Sequence, residues 1–227
     1  MLEFKQLEKS YGSRPILTIP SCNLDRGTYW LQGPNGSGKT TLLRIIAGII
    51  SFRGDIRLKG HSLRQDPIAY RREVSWADAE PRYPAFLTGN DLLSFYLSIR
   101  KAPFSQAEQL ISTFAMAAYI PTRIGSWSDG MIKKLSLVLA FLGAPSLIVL
   151  DEPLVTLDTA SVQLLYDLIR DHRRQGRGFL FTSHQDIALS ALPVDKKIFI
   201  RDQTSGSSPH SKILSRAFCT YCPSWGG

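Results

Sequence analysis

Gly33-Pro34-Asn35-Gly36-Ser37-Gly38-Lys39-Thr40 is the stretch whose reading decides the fold of this 227-residue chain. It matches G-x-x-x-x-G-K-[ST], a phosphate-binding loop, at every constrained position, with Pro34 and Asn35 filling variable ones. Glycines at 33, 36 and 38 allow backbone conformations that a Cβ would block, so consecutive N–H groups can turn inward towards phosphate oxygens. Lys39 supplies a point charge for the outer phosphates, and the Thr40 hydroxyl is placed to ligate Mg²⁺. The helix expected from Thr41 aims the positive end of its dipole at the same anion.

Both flanks suit the loop. Residues 28–32 (Thr-Tyr-Trp-Leu-Gln) are β-branched and aromatic, and predict the strand that feeds it. Residues 41–47 predict a helix, with Leu42, Leu43, Ile46 and Ala47 on one face and Gly48 as its stop.

Composition narrows the class. The chain is 44% hydrophobic and 20% charged, the balance of a globular protein with a large core. Its longest apolar run, from Leu135 to Leu150, is interrupted by Gly143, Ala144, Pro145 and Ser146. It reads as core helix, turn and core strand, too short to span a bilayer. The first residues lack a basic-then-apolar leader pattern, so the expected location is cytoplasmic. Three cysteines make no disulfide framework, and Cys219-Thr-Tyr-Cys222 is a lone C-x-x-C without a second ligand pair. A net charge of +8 implies an anionic partner: nucleotide, nucleic acid or acidic membrane surface. The cations are scattered, however, and do not alternate with aromatics as a single-strand binding groove would.

Along the chain, residues 2–8 and 15–19 predict short strands about a turn at 11–14, and 54–59 and 74–77 predict further strands. From about 82 to 143 the pattern becomes helical: a helix opening near Thr88, a second over 106–117 capped by Ser105 with Glu108 in a capping box, and a third after Asp129-Gly130. Residues 147–150 form an apolar run suited to a strand buried on both faces, followed by a helix over 158–174 and strands at 178–183 and 197–200. This alternation predicts an α/β fold: a phosphate-loop NTPase core with a mostly parallel sheet, an N-terminal antiparallel β subdomain and an inserted helical subdomain. The expected domain covers 1–203, and 204–227 reads as a poorly ordered tail.

Three more residues stand at strand ends, where open α/β sheets place their chemistry. Asp151 can hold Mg²⁺ opposite Thr40, and Glu152 can orient or activate an attacking water. His184, after the strand at 178–183, could polarise a γ-phosphate. Ser128 and the Gly130 N–H precede an amphipathic helix and form a second helix N-terminus able to meet an anion.

In this order the motifs resemble the ATP-binding subunit of ABC transporters, over about residues 1–200. Residues 33–40 look like Walker A, 126–131 (Ser-Trp-Ser-Asp-Gly-Met) stand at the signature, 147–152 look like Walker B, 156–158 like the D-loop, and His184 like the switch histidine. The resemblance implies ATP and Mg²⁺ as cofactors, Tyr11 stacking on adenine, and catalysis by Lys39, Glu152 and His184. It further implies a second ATPase subunit, identical or related, packed head to tail, so that Ser128 and Gly130 face the partner's nucleotide. An integral membrane permease would be the other partner, with this chain peripheral at the inner face of the membrane and no nucleic acid bound; the form of the signature favours an export-type permease. Two departures from the pattern stand out: Asp129 replaces a usual signature glycine, and Ala79 falls where the Q-loop glutamine is usual, with Asp78 and Glu80 as possible substitutes. Slow hydrolysis or a shifted coupling geometry follows from the second, and with it an alternative role as a weakly hydrolysing partner in a heterodimer. A soluble ABC-type ATPase acting on nucleic acid or ribosomes is the other alternative, supported by the basic charge alone.

Overall fold

The computed structural model describes residues 1–183, 192 and 194–200. The chain starts with a hairpin, β1 (Leu2–Tyr11) and β2 (Arg14–Leu24), longer than the sequence pattern predicts. Its strands stay paired from Tyr11↔Arg14 to Leu2↔Leu24, so the polar segment 20–23 is held as strand by its partner and not by its own alternation. Strand β3 (Thr28–Gln32) leads into the phosphate loop and α1 (Lys39–Ile46). The helix begins two residues before the expected Thr41, because Gly38, with φ of 99°, turns the chain directly into it. It closes where expected: Gly48 N–H donates to Ile45 O and Ile49 N–H to Arg44 O.

Strands β4 (Arg53–Leu58) and β5 (His61–Ser62) complete an antiparallel sheet of order β2-β1-β4-β5. Helix α2 (Pro67–Glu73) precedes β6 (Val74–Ala77), and then α3 (Gly89–Arg100), α4 (Phe104–Thr113), a 3₁₀ turn at Ile124–Ser126 and α5 (Asp129–Phe141) follow. The return to the sheet is β7 (Leu147–Leu150), α6 (Thr159–Arg174), β8 (Gly178–Thr182) and β9 (Lys196–Phe199). Strands β6-β7-β8-β3-β9 make one wholly parallel sheet, in that order. The expected fold class is thus the observed one.

The central strands are largely apolar because each faces two cores. Ile148, Leu150, Phe179 and Phe181 point into a core shared with α3 to α6, while Leu147, Val149 and Leu180 join one under α1 and the antiparallel sheet. Burying each such side chain stabilises the fold by about 1.5–3 kcal/mol. Helix α4 needs correction at both ends, and it stops at Thr113 and not at 117, just before Ala115 turns left-handed with φ of 53°. It starts after Pro103, which makes no side-chain cap, so the expected Ser105–Glu108 capping box is absent. Starting there sets Ala107, Leu110 and Phe114 into the core and lets Gln106 bond to the end of α5. The Gln106 amide donates to Phe141 O and Gly143 O and accepts from Gly143 N–H, satisfying carbonyls that α5 leaves open.

His172 on α6 is buried edge-on against Phe141, its Nδ1 accepting from the Arg177 guanidinium. Burial first, and the Arg177 charge second, push its pKa down to about 4 from the usual 6.5. The folded chain therefore keeps this ring neutral where the unfolded chain protonates it. Stability from this residue is complete above about pH 6.5 and is lost as pH falls towards about 4. Thermal melts from pH 7.5 to 4 should fall less steeply for His172→Asn, whose amide oxygen can still accept from Arg177; an equal slope in the two proteins would exclude His172 as the source.

Candidate functional site

Because β3, β7 and β8 are parallel, their C-terminal ends lie at one edge of the sheet, and the phosphate loop and the 151–152 carboxylates flank the end of β8. Within the loop, Ser37 N–H donates to Pro34 O at 3.2 Å, and Leu42 N–H to Gly38 O at 2.8 Å. Gly38 offers no side-chain cap, so the first N–H groups of α1, through Thr40 and Thr41, are left for a ligand. The Ser37 hydroxyl is buried beside them with no partner among the described residues. A side chain at Gly33 would sit 2.7 Å from Ile200 O, so the loop start can pass only as glycine. Gly36, also in a left-handed conformation, and the exposed Asn35 and Pro34 stand at the rim.

Lys39 lies back along the loop, its ammonium donating to Gly33 O at 2.8 Å and Pro34 O at 3.1 Å. Burial lowers its pKa, and the Glu152 and Asp151 carboxylates oppose that shift. The loop lysine and the two acids therefore share one electrostatic site, although more than a hundred residues separate them.

Asp151 is 1% exposed. Its Oδ1 accepts from the Thr182 hydroxyl at 2.6 Å, while Oδ2 is buried with no donor among the described residues. A buried carboxylate oxygen without a donor is costly, and a hydrated divalent cation would satisfy it. Glu152 has φ of 44°, a left-handed conformation rare for a residue with a side chain. Its N–H donates to the same Thr182 oxygen at 2.9 Å. One buried hydroxyl thus orients the first acid and pins the strained main chain of the second. Sequence reading passed over Thr182; the signal was a hydroxyl at the end of an otherwise apolar buried strand.

Ser128 and Gly130 lie apart from this cluster. Ser128 caps α5, accepting from Met131 N–H at 3.3 Å, and Asp129 is exposed beside it. A Cβ on Gly130 would meet Thr156 O at 2.9 Å, so the helix start packs on the 155–158 segment. Lys134 reinforces that seam by pairing with Asp158 at 3.0 Å. The Ser161 N–H and Lys134 hold the Asp158 carboxyl down at about 2. Tyr11 ends β1, 53% exposed, with the Lys9 ammonium 4.7 Å from its ring centroid. Near Ala79, the Asp78 carboxylate is engaged by Arg44 at 3.2 Å, and Glu80 stands in solvent beside Arg82. Neither takes up the loop or the acids through a direct side-chain bond. His184, His210, Cys219 and Cys222 lie outside the described residues.

A phosphate loop after one parallel strand, and paired acids after another two places away in the same sheet, define a P-loop NTPase core. The chain belongs to the ABC transporter family, whose model matches residues 19–155. It is the ATP-binding subunit of such a transporter, an ATPase. It is 30% identical over 192 residues to the cytochrome c biogenesis ATP-binding export protein of Legionella pneumophila (strain Lens), covering 84% of this chain and 96% of that one. The like-named protein of Albidiferax ferrireducens is 32% identical over 197 residues, covering 85% and 93%. Among solved structures, an ATP-binding subunit of an ABC transporter superposes with a TM-score of 0.79 at 26% identity, over 87% of this chain and 85% of that one. A dimeric ATP-binding cassette bound to ADP and Pi shares the fold with a TM-score of 0.76 at 17% identity, over 88% and 94%. No described helix is long and apolar enough to cross a membrane.

Replacing Thr182 by valine keeps its shape but removes the donor to Asp151 Oδ1 and the acceptor of the Glu152 N–H, a loss of about 1–3 kcal/mol. Thr182→Val should melt earlier and hydrolyse ATP more slowly, and Thr182→Ser should recover both. Wild-type melting and turnover in the valine variant would show the hydroxyl to be idle.

Proposed function

We propose that this chain dimerises on ATP, with itself or a close relative, and that closing and reopening of the dimer drives a separate membrane permease, of export type. The observation that carries the reading is the chain's split equipment: phosphate loop, Asp151 and Glu152 at one edge of the sheet, and a second helix N-terminus at Ser128–Gly130 seated elsewhere on the 155–158 segment. A triphosphate on one copy's loop is enclosed when the other copy's α5 terminus covers it. The export direction takes support from the relatives named as export proteins. The ATPase unit covers 1–203, with the helical block at 82–143 as its mobile part and 204–227 as a tail. The location is the cytoplasmic side of the membrane, where the permease holds the chain.

In this reading the N–H groups of residues 33–41 wrap the phosphates, with Tyr11 against the adenine. Lys39 leaves the carbonyls of Gly33 and Pro34 and takes phosphate oxygens in their place. Thr40 and Asp151 would hold Mg²⁺, which neutralises phosphate charge when bound; the unpartnered Oδ2 of Asp151 fits that role. Glu152 orients or deprotonates the attacking water, and His184 contacts the γ-phosphate. Hydrolysis replaces one polyanion by two, and their repulsion reopens the dimer. Exposed Phe95 and Ile99, one turn apart on α3, and Ile68 on α2 give the permease an apolar surface.

A second reading draws on Ala79 and Asp129. With the Asp78 carboxylate engaged by Arg44 and a carboxylate beside Ser128, the chain hydrolyses slowly and serves as one half of a heterodimer.

Glu152→Gln should bind Mg·ATP and persist as a dimer in light scattering, with turnover reduced by about 10²–10³-fold, the effect of losing one transition-state partner. A strictly monomeric variant in saturating Mg·ATP, even beside its natural counterpart, would refute the nucleotide-glued dimer. Glu80→Ala should hydrolyse at the wild-type rate, since Glu80 points into solvent; a slower rate with altered Mg²⁺ dependence would restore it as the substitute for a glutamine at 79.

A further inference from the structure

Lys133 is a charged residue in the first half of α5, yet it is only 1% exposed. Its ammonium donates to three main-chain carbonyls: Asp78 at 2.8 Å, Ala79 at 3.1 Å and Asp151 at 3.2 Å. An ammonium has three protons to give, so this set is complete. The acceptors belong to two strand ends, Asp78 and Ala79 following β6 and Asp151 following β7. A lysine buried this deeply is costly unless it is paired: burial pulls its pKa down to about 8, and the charges of Asp151, Asp78 and Glu152 oppose that shift only in part.

The same helix start grips the far end of the segment that carries the acids. Gly130 packs on Thr156 O, and Lys134 pairs with Asp158. Lys133 at Asp151, Gly130 at Thr156 and Lys134 at Asp158 therefore bind the first turns of α5 along the whole of 151–158. Ala79 has no side-chain polar group with which to join the β6 end to the acids; its carbonyl is joined instead, by Lys133.

We propose that Lys133 is a positioning residue for hydrolysis: through three carbonyls it locks the N-terminal turns of α5, the Asp78–Ala79 turn and the Asp151–Glu152 main chain into one unit, so that an anion meeting Ser128–Gly130 is felt at the carboxylates. This rests on the site roles proposed above. Lys133 touches no reacting atom. It sets where Asp151 and Glu152 stand when the α5 terminus is engaged, and a neutral side chain of equal length cannot hold the three carbonyls together.

The test uses the full chain, with its natural counterpart added if hydrolysis requires it. Lys133→Met keeps length and removes charge and donors; Lys133→Arg keeps both. For Lys133→Met, affinity for a fluorescent ATP analogue should stay within about threefold of wild type and KM should change little, while kcat falls by about tenfold or more. Hydrogen exchange should speed up across 78–83 and at 151–152 but not in β3 or α1, and Lys133→Arg should recover at least half of kcat. Unchanged kcat in Lys133→Met, or affinity, kcat and exchange protection failing together throughout the chain, would overturn the proposal and leave Lys133 as ordinary packing. If Lys133→Met does not fold, Lys133→Gln, which keeps two donors without charge, is read by the same split; failure of both neutral variants to fold likewise overturns it. A wild-type chain that binds no ATP overturns the parent reading as well, and binding measured first keeps that failure distinct from this one.

Discussion

Asp151 and Glu152 are adjacent carboxylates at the end of a strand buried on both faces, and charges that close repel each other strongly when water is thin. Keeping them apart and aimed is the constraint on which the rest of the molecule depends. Strand β8 contributes the Thr182 hydroxyl to the Asp151 carboxylate and the Glu152 N–H, the phosphate loop contributes the Lys39 charge, and α5 contributes Lys133 to the Asp151 carbonyl. The left-handed main chain at Glu152 persists because all three directions are held. None of these supports would arrive without the order β6-β7-β8-β3, which puts the loop strand and the acid strand on either side of Thr182.

The helical block is joined to that centre by more than apolar contact. Its helices α3 to α5 share a core with one face of the parallel sheet, and Gln106 fastens α4 to the C-terminal carbonyls of α5. At its N-terminus α5 is fastened again, to the segment 151–158. Polar ties run from the block to the core at the N-terminal turns of α5, through Lys133 and Lys134, and at the end of α3, where Arg100 donates to Arg71 O and Arg72 O. In the proposed dimer, a partner's nucleotide meeting the Ser128–Gly130 end of α5 would load that helix, and through it the acids.

Much of the fold was legible in the sequence where local pattern is strong. The loop glycines, the apolar runs of β7 and β8, the stop at Gly48 and the cap at Ser128 all act over a few residues. Prediction failed where a distant partner overrides that pattern. The polar half of β2 is a strand because β1 pairs with it, and the expected cap at Ser105 gives way to a start after Pro103 that puts Gln106 within reach of α5. In the site, the acids and the loop lysine were visible as motifs. Thr182 and Lys133 were not, because the hydroxyl meets its carboxylate across 31 residues and the ammonium meets its first carbonyl across 55.

By itself the sequence determined the loop that can cradle phosphate, the order of strands and helices, and which strands must be buried on both faces, since glycine freedom, capping and hydrophobic period are written within a few residues of where they act. Only the tertiary structure decided which strands lie side by side, that one hydroxyl serves both acids, and that a lysine of α5 ends among the carbonyls of two other elements. Those outcomes depend on hydrogen bonds that exist only once packing has excluded water and brought distant segments together, and no local rule encodes them.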